Sequence, residues 1–274
     1  MPDPVIDATW LADHLDDPDL VVFDVRWSVD AGPGREAYDR GHIPGAVFVD
    51  LDAELSAPSS PVAGRHPLPD PARFAQVMSA AGVADDSIVV AYDDAGGVIA
   101  ARLWWMLDAL GRRAAVLDGG IDAWPGPLDT TTTRPPPARF TAQPWPADRL
   151  ATADQVEAAA GTALIIDARS ADRYEHGSPI DPRPGHVPGA HSAPATDNLD
   201  HGRFRTPDEL AERYRALGAD QTPVIAYCGS GVTACADLLA LRRAGLPDGR
   251  LFVGSWSAWG ADPERPAAVG PDPA

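Results

Sequence analysis

Short apolar runs alternate with longer amphipathic stretches along most of the chain. Six runs of four to six residues are typical of buried strands; they cover residues 21–25, 88–92, 114–117, 163–168, 224–227 and 250–253. Four stretches with helical spacing of apolar positions predict helices; they cover residues 71–81, 100–110, 206–217 and 234–244. Strands that alternate with helices favour an α/β fold, with a central, mainly parallel sheet flanked by helices.

The second half of the chain repeats the landmarks of the first half. The matched pairs of segments are residues 21–26 with 164–169, 41–46 with 185–190, 88–93 with 223–228, and 119–124 with 254–259. Such internal similarity predicts two tandem domains. We place the first domain at residues 1–125 and the second at residues 147–274. The stretch between them, residues 126–146, is rich in Pro and Thr and is predicted to be a linker.

The two halves differ in length and in one residue that matters chemically. His42 and His186 lie 144 residues apart, whereas Asp93 and Cys228 lie 135 apart, so the first half is nine residues longer between these landmarks. We assign the excess to the Pro- and Ser-rich stretch at residues 56–71, because surface loops tolerate insertion well. Asp93 stands where the second half has Cys228, so the first half is predicted to lack the nucleophile.

The most informative motif is Cys-Gly-Ser-Gly-Val-Thr at residues 228–233. It follows a predicted strand and leads into a predicted helix, and ligands of parallel α/β sheets bind at the carboxyl ends of strands. The N–H groups of such a loop and helix N-terminus stabilise an anion, so we expect Cys228 to be a reactive thiolate. The alternative is a cysteine packed as a small apolar residue. The Gly-Ser-Gly that follows favours the reactive role.

Composition excludes several classes of function. The formal net charge of −18 argues against nucleic acid or anionic membrane as a partner. All 22 basic residues other than histidine are arginine, which favours bidentate recognition of carboxylates. The sequence shows no membrane-spanning run, no secretion signal and no disulfide framework, so we expect a cytoplasmic protein. It shows no metal-ligand or nucleotide-binding spacing, so we expect neither a metal nor a cofactor.

In this order, and in duplicate, the motifs resemble those of the two-domain rhodanese-type sulfurtransferases. The resemblance covers nearly the whole chain and includes the Asp-x-Arg strand ends, both Gly-His turns, the segment at residues 118–124 and the cysteine loop. It implies two rhodanese-like domains, of which the second is catalytic. The loop Cys-Gly-Ser-Gly-Val-Thr is similar to that of members that use 3-mercaptopyruvate, whereas members that prefer thiosulfate carry basic residues after the cysteine.

The resemblance also implies roles for individual residues. Cys228 would carry the transferred sulfur as a persulfide, and Ser230 and His42 would take part in proton transfer. Arg173 and Arg183 would hold the carboxylate and keto group of the donor by charge-assisted hydrogen bonds. The remaining residues of the predicted site contribute N–H groups that stabilise the sulfur anion: Gly229, Gly231, Val232 and Thr233.

Alternatives remain open for some of these residues. His186 occupies the same turn as His42, which favours a turn-fixing role for both rings. The aspartate of the family's proton relay has no clear match, and Asp30 is the nearest candidate in a segment that departs from the family pattern. For Arg173 and Arg183 the alternative is a surface position in a loop.

The expected reaction moves a sulfane sulfur from 3-mercaptopyruvate, through Cys228, to a small thiol, cyanide or a thioredoxin-like protein. The nearest alternative is a thiosulfate:cyanide sulfurtransferase, and the next is a non-catalytic sulfur-carrier or regulatory rhodanese module. A phosphatase with a Cys-x5-Arg loop is dismissed, because the position six residues after Cys228 is Ala234.

Overall fold

A computed structural model describes residues 3–271 of the chain. The described residues form two compact units. The first unit contains the residues up to Ala57, Leu68–Trp145 and His201–Phe204, and the second contains Pro58–Pro67, Pro146–Asp200 and the residues from Arg205 onward. Each unit therefore includes a short segment from the other half of the sequence. No helix within residues 3–271 is long and apolar enough to cross a membrane.

The first half of the chain supplies seven strands and four helices to the described structure. The strands are β1 (Val5–Ile6), β2 (Leu20–Asp24), β3 (Trp27–Ser28), β4 (Gly32–Pro33), β5 (Val47–Phe48), β6 (Ile88–Tyr92) and β7 (Arg113–Leu117). The helices are α1 (Ala8–His14), α2 (Arg35–Arg40), α3 (Pro71–Ala80) and α4 (Ala101–Ala109). A short 3₁₀ helix follows β7, at Gly120–Ala123.

The second half supplies six strands and five helices to the described structure. The strands are β8 (Leu164–Asp167), β9 (Ala190–Ser192), β10 (Leu199–Asp200), β11 (Arg203–Phe204), β12 (Val224–Tyr227) and β13 (Arg250–Leu251). The helices are α5 (Ala153–Ala158), α6 (Ala171–His176), α7 (Pro207–Ala216), α8 (Ala234–Arg243) and α9 (Ser255–Trp259). The 3₁₀ helices lie at Ala147–Arg149 and Ala195–Asn198.

Each unit is built on a parallel sheet flanked by helices, as the alternating pattern predicts. The first sheet has the strand order β1-β7-β6-β2-β5, and the second has the order β13-β12-β8-β9. All neighbouring strands in both sheets run parallel. Strands β6 and β12 therefore occupy equivalent interior positions. Asp93 and Cys228 follow them directly, so each lies at the carboxyl end of a central strand, where ligands of such sheets bind.

The longer helices begin and end within one residue of the bounds that the sequence predicts. Asp70 caps α3 by accepting hydrogen bonds from the N–H groups of Ala72 and Arg73, and Pro71 occupies the first turn, where its missing N–H costs nothing. Thr206 and Glu209 form a reciprocal capping box at the start of α7. Together with the two parallel sheets, these helices confirm the α/β fold class predicted from the sequence.

The duplicated motifs form the same buried network in each unit. Arg169 binds Asp167 through two nitrogens, and its Nη2 also donates to the carbonyl of Gly185 at 2.8 Å. In the first unit Arg26 binds Asp24 and the carbonyl of Gly41 in the same way. The Asp-x-Arg strand ends and the Gly-His turns therefore stabilise the fold, because each buried charge is paired and hydrogen-bonded.

Residues 126–145, most of the predicted linker, lie in the first unit. The N–H of Ala138 donates to the carbonyl of Ser79, Thr141 donates to Asp85, and the Trp145 indole donates to the carbonyl of Pro69. This stretch has no regular secondary structure, so periodicity gives no sign that it packs.

The domain bounds and the linker stay predictions, and the compact units divide the chain differently at this stretch and at the two exchanged segments.

Candidate active site

Cys228 lies at the end of β12, at the start of the loop that leads into α8. Its Sγ accepts hydrogen bonds from the backbone N–H groups of Ser230 at 3.4 Å and Gly231 at 3.1 Å. Both donors point at one sulfur atom, an arrangement that favours a negatively charged sulfur. Cys228 is only 2 % exposed.

The segment that starts α9 holds the backbone of the cysteine loop in place. The Oγ of Ser255 accepts from the N–H of Cys228 at 3.1 Å and donates to the carbonyl of Phe252 at 2.9 Å. The N–H groups of Trp256 and Ser257 donate to the carbonyls of Cys228 and Gly229, both at 2.9 Å. Ser255 adopts a left-handed conformation with φ of 52°, which is strained for a residue with a side chain.

Close packing against backbone requires glycine at one position of the loop, and a second glycine leaves space for two side chains. A Cβ at Gly231, whose φ is +78°, would lie 2.5 Å from the carbonyl oxygen of Val253. A Cβ at Gly229 would lie 2.7 Å from Nη2 of Arg173 and 3.0 Å from Nη2 of Arg65. Gly229 therefore leaves room for two guanidinium groups next to the residue that follows the nucleophile.

Ser230 is paired with a histidine that the sequence analysis did not single out. Nδ1 of His66 lies 2.8 Å from Oγ of Ser230, and both side chains are buried. His66 belongs to the segment Pro58–Pro67, which packs in the second unit although it comes from the first half of the sequence. One feature of the sequence could have pointed to His66. The first half is nine residues longer than the second, and in the stretch that holds this excess Arg and His stand next to each other among small residues and prolines.

Arg173 lies against the loop, as the resemblance implies, and it is held by Asp181. The Arg173 guanidinium donates to both carboxylate oxygens of Asp181, at 2.5 and 3.2 Å. Nη1 of Arg169 lies 3.6 Å from the same carboxylate. Burial raises the pKa of Asp181, but the hydrogen bond and charge of Arg173, with help from Ser178 and Arg169, outweigh burial and lower the pKa overall. Asp181 is therefore a buried counter-ion that orients Arg173.

Arg183, the second predicted clamp residue, has a different set of contacts. Its Nη2 donates to the backbone carbonyls of Arg265 at 2.6 Å and Asp262 at 3.3 Å, and its guanidinium lies 5.9 Å from the ring centre of Trp256. These bonds fix a loop near the C-terminus. The structure brings Arg65, rather than Arg183, to the side of Gly229 where Arg173 lies.

The last two predicted loop residues lie at the start of α8. Val232 is buried. Thr233 is the N-cap residue and forms no side-chain capping bond. They belong to the loop backbone that follows Gly231. Among the described residues, the hydrogen bonds to the Cys228 sulfur come from the N–H groups of Ser230 and Gly231.

His42 has the contacts of a turn-fixing residue. Its Nδ1 lies 2.8 Å from the carbonyl oxygen of Tyr38, and its ring stacks on Tyr38 at 3.8 Å. His186 makes the same two contacts with Tyr174, at 3.1 and 3.7 Å. The imidazole that contacts Ser230 is that of His66. Asp30 is exposed in the turn between β3 and β4.

The first unit contains the same kind of loop after β6, but the backbone N–H groups of that loop bind the side chain of Asp93. The carboxylate of Asp93 accepts four backbone N–H hydrogen bonds of 2.7–2.8 Å; the donors are Ala95, Gly97, Ile99 and Ala100. Burial raises the pKa of Asp93 overall, although these four bonds act to lower it. A covalently attached anion thus occupies the position that corresponds to the sulfur of Cys228.

No group of histidine, cysteine, aspartate and glutamate side chains within residues 3–271 is arranged to hold a metal ion.

Comparison with known proteins agrees with this architecture. Residues 7–126 and 152–262 each match the family described as rhodanese-like domain. A Pseudomonas aeruginosa protein named "Probable 3-mercaptopyruvate sulfurtransferase" is 46% identical over 97% of this chain and 98% of its own length. A Mycobacterium tuberculosis protein named "Putative thiosulfate sulfurtransferase SseB" is 38% identical over 97% of each chain. The crystal structure of an Escherichia coli 3-mercaptopyruvate sulfotransferase superposes with a TM-score of 0.83 at 36% identity, covering 93% of this chain and 99% of that chain.

Proposed function

The chain belongs to the rhodanese family, with a rhodanese-like domain in each half of its sequence, and on this premise we propose that it is a sulfurtransferase whose donor is 3-mercaptopyruvate. The observation that carries the proposal is the position of the Cys228 sulfur. Two backbone N–H groups point at it, two guanidinium groups lie beside the next residue, Gly229, and Ser230 contacts a histidine. This set of groups suits a sulfur nucleophile and an anionic donor.

The first step forms a persulfide on the enzyme. The Cys228 thiolate attacks the sulfur of 3-mercaptopyruvate, an S–S bond forms, and the C–S bond of the donor breaks. The electron pair of that bond passes to the former C3 carbon, which gives the enolate of pyruvate. The thiol proton that the donor brings is released from the new persulfide and balances the proton that the enolate takes up. The persulfide is therefore left as an anion beside the N–H groups of Ser230 and Gly231, which need no reorganisation to stabilise it.

Ser230 and His66 provide the proton that the enolate needs. The Ser230 hydroxyl donates its proton to the enolate, and His66, at 2.8 Å, replaces that proton. Both groups lie next to Cys228 in the second unit, so the pair fulfils the relay role that the sequence analysis assigned to Ser230 and His42.

The second step returns the enzyme to its starting state. An acceptor anion attacks the outer sulfur of the persulfide, the S–S bond breaks, and the Cys228 thiolate leaves. The acceptor is a small thiol, cyanide or a thioredoxin-like protein. Both cysteines, Cys228 and Cys235, are free thiols, which suits work in a reducing cytoplasm.

Thiosulfate is the competing donor, and the loop argues against it. Gly229 and Ser230 put no positive charge immediately after the nucleophile, whereas a dianionic donor favours cationic residues there. The test is the ratio of kcat/KM for the two donors. We expect 3-mercaptopyruvate to be preferred at least about tenfold, which is about 1.4 kcal/mol of transition-state stabilisation. A ratio in favour of thiosulfate would reverse the assignment.

A further inference from the structure

Ser257, the third residue of α9, contacts two segments that come from opposite halves of the sequence. Its backbone N–H donates to the carbonyl of Gly229 at 2.9 Å, and its Oγ accepts from the backbone N–H of Arg65 at 3.0 Å. The same Oγ donates to the carbonyl of Gly254 at 3.0 Å. Ser257 is buried, and its hydroxyl has both a donor and an acceptor partner. All of these residues belong to the second unit.

Two of these partners directly precede the members of the Ser230–His66 pair in the chain. Gly229 precedes Ser230, and Arg65 precedes His66, whose Nδ1 lies 2.8 Å from Oγ of Ser230. Neighbouring Cα atoms are held about 3.8 Å apart across a planar peptide, so a fixed backbone group limits where the next residue can lie. Ser257 therefore restrains both members of the pair from one position.

The segment Pro58–Pro67 approaches Ser257 more closely than a side chain on Gly64 would allow. A Cβ at Gly64, whose φ is +87°, would lie 2.5 Å from a backbone carbonyl oxygen and 2.8 Å from Oγ of Ser257. Ser60 and Gly64 exchange two backbone hydrogen bonds, which fix the turn that precedes Arg65. The turn and the close contact together bring the N–H of Arg65 to the Ser257 hydroxyl.

The first unit differs at the position that corresponds to Ser257. Asp122 stands there in the repeat, and it is exposed. The segment His201–Phe204, which packs in the first unit, is held at a different place, because the N–H of Phe204 donates to Oδ1 of Asp118 at 2.8 Å. The unit that carries the nucleophile is thus the one with a buried hydroxyl between its exchanged segment and its loop.

We propose that Ser257 is a positioning residue for proton transfer, which holds the residues before Ser230 and His66 and so keeps the imidazole within reach of the hydroxyl. The proposal rests on the proposed function, in which Ser230 gives a proton to the enolate and His66 replaces it. Ser257 acts through His66 rather than on the donor molecule. The side chain of Arg65 has a separate anchor, since its Nη1 donates to the carbonyl of Ile180 at 2.7 Å.

The test compares the full-length Ser257→Ala protein with the wild type and with Ser28→Ala. Ser28 is exposed in the first unit, and its Oγ accepts from the N–H of Ala31 at 3.1 Å, so the control loses the same kind of bond. We expect Ser257→Ala to lower kcat for 3-mercaptopyruvate about tenfold and to leave KM within about threefold, because small displacements of a catalytic group have large effects.

A double-mutant cycle shows whether Ser257 acts through His66. In the His66→Gln background, Ser257→Ala should lower kcat by less than about twofold, since the group that it positions is already gone. A further loss of about tenfold in that background would show that the two residues act independently, and it would reject the proposal.

A half-reaction without an enolate separates positioning from damage to the cysteine loop. The Cys228 thiolate attacks a sulfur of inorganic polysulfide and takes it up as a persulfide, while a shorter polysulfide leaves. No carbon atom is protonated in this step, so Ser257→Ala should load sulfur at the wild-type rate. A slower rate would assign Ser257 to the structure of the loop and overturn the positioning role.

A measurement on the resting protein separates this proposal from the donor assignment. The imidazole ¹⁵N signals of His66, identified by their absence in His66→Gln, should shift in Ser257→Ala and stay unchanged in Ser28→Ala. If the signals shift but the wild type does not turn over 3-mercaptopyruvate, the positioning role stands and the donor assignment fails. If the wild type turns it over but the signals do not shift, or kcat of Ser257→Ala stays within about twofold of wild type, the positioning role is rejected and the donor assignment stands.

Discussion

The hydroxyl of Ser255 accepts a hydrogen bond from the backbone N–H of Cys228, and Ser255 holds this position in a left-handed conformation. Its counterpart in the first unit is Gly120, which has φ of +60° and tolerates that conformation without strain. In both units the next residue donates its N–H to the carbonyl at the loop start, from Trp256 to Cys228 and from Ile121 to Asp93. In the second unit, the strained conformation of Ser255 therefore places a hydroxyl that holds the backbone of the nucleophile.

Removal of the Ser255 hydroxyl should slow persulfide formation. Ser255→Gly removes both the hydrogen bond and the strain, and Ser255→Ala removes the hydrogen bond alone. We expect both variants to lose about 10- to 100-fold in the single-turnover rate, because small displacements of a nucleophile have large effects. Ser255→Ala should also unfold at lower urea concentration than Ser255→Gly. A wild-type rate in Ser255→Gly would show that the hydroxyl does not position Cys228.

His66→Gln should lower kcat more than KM. The imidazole contacts Ser230 and replaces the proton that Ser230 gives to the enolate, and general acid–base catalysis contributes about 10²–10⁴-fold. We expect a loss of about 100-fold in kcat in steady-state assays, with pyruvate binding within threefold of wild type. A His66→Gln protein with unchanged kcat would remove His66 from the relay.

His42 and His186 form a matched pair that tests whether His42 has a catalytic role. Each fixes its own turn through a tyrosine carbonyl and a stacked ring, so His42→Gln and His186→Gln should lower the melting temperature by similar amounts. They should also change kcat to the same extent at a temperature where both proteins are folded. A kcat loss confined to His42→Gln would return His42 to the catalytic mechanism.

Much of this fold follows from the sequence because its elements are periodic or capped. The helix at Pro71–Ala80 has a Pro start, an Asp cap and a Gly stop, and the strand before Cys228 is a plain apolar run. Helices α2, α6 and α9 have five or six residues, too few to show a period. The position of Cys228 in a strand-to-helix loop is likewise predictable, since strand, glycines and helix are consecutive in the chain.

The groups that complete the site were not predictable in the same way. Arg65 and His66 lie more than 160 residues from Cys228 in sequence and reach it because Pro58–Pro67 packs in the second unit. The Pro- and Ser-rich composition of this stretch does not indicate that it packs in the second unit. Arg183 carries the expected residue type at the expected place in the chain, but its Nη2 donates to the backbone carbonyls of Asp262 and Arg265.

Asp93 should stabilise the first unit as its internal anion. Asp93→Ala leaves four N–H donors without this acceptor, three of them buried, and each hydrogen bond to a charged group is worth about 1.5–3 kcal/mol. We therefore expect a loss of at least about 3 kcal/mol in unfolding free energy and faster amide exchange at residues 95–100. Exposed Asp94→Ala is the matched control. A loss below about 1 kcal/mol in Asp93→Ala would contradict this role.

Asp237 should make stability depend on pH. Burial raises the pKa of this carboxyl to about 7, while Asn198, Arg213 and Tyr214 act to lower it. Because the folded-state pKa lies above the unfolded value, the folded protein holds the extra proton, and unfolding free energy falls as pH rises from about 4 to about 7 by up to about 1.4 kcal/mol per unit. Above that range this contribution is constant.

Asp237→Asn removes this titration, so its stability relative to wild type should increase between pH 5 and pH 8. Urea unfolding at both pH values measures the change, with exposed Asp16→Asn as the control. A difference between Asp237→Asn and wild type that is the same at both pH values would show that Asp237 titrates normally.

The most direct test of the central claim is the intact mass of the protein after incubation with 3-mercaptopyruvate. The proposed function predicts the addition of one sulfur atom per chain, its loss on reduction, and its absence in Cys228→Ser. An unchanged mass in the wild-type protein, or a sulfur adduct that persists in Cys228→Ser, would contradict the assignment of Cys228 as the sulfur carrier.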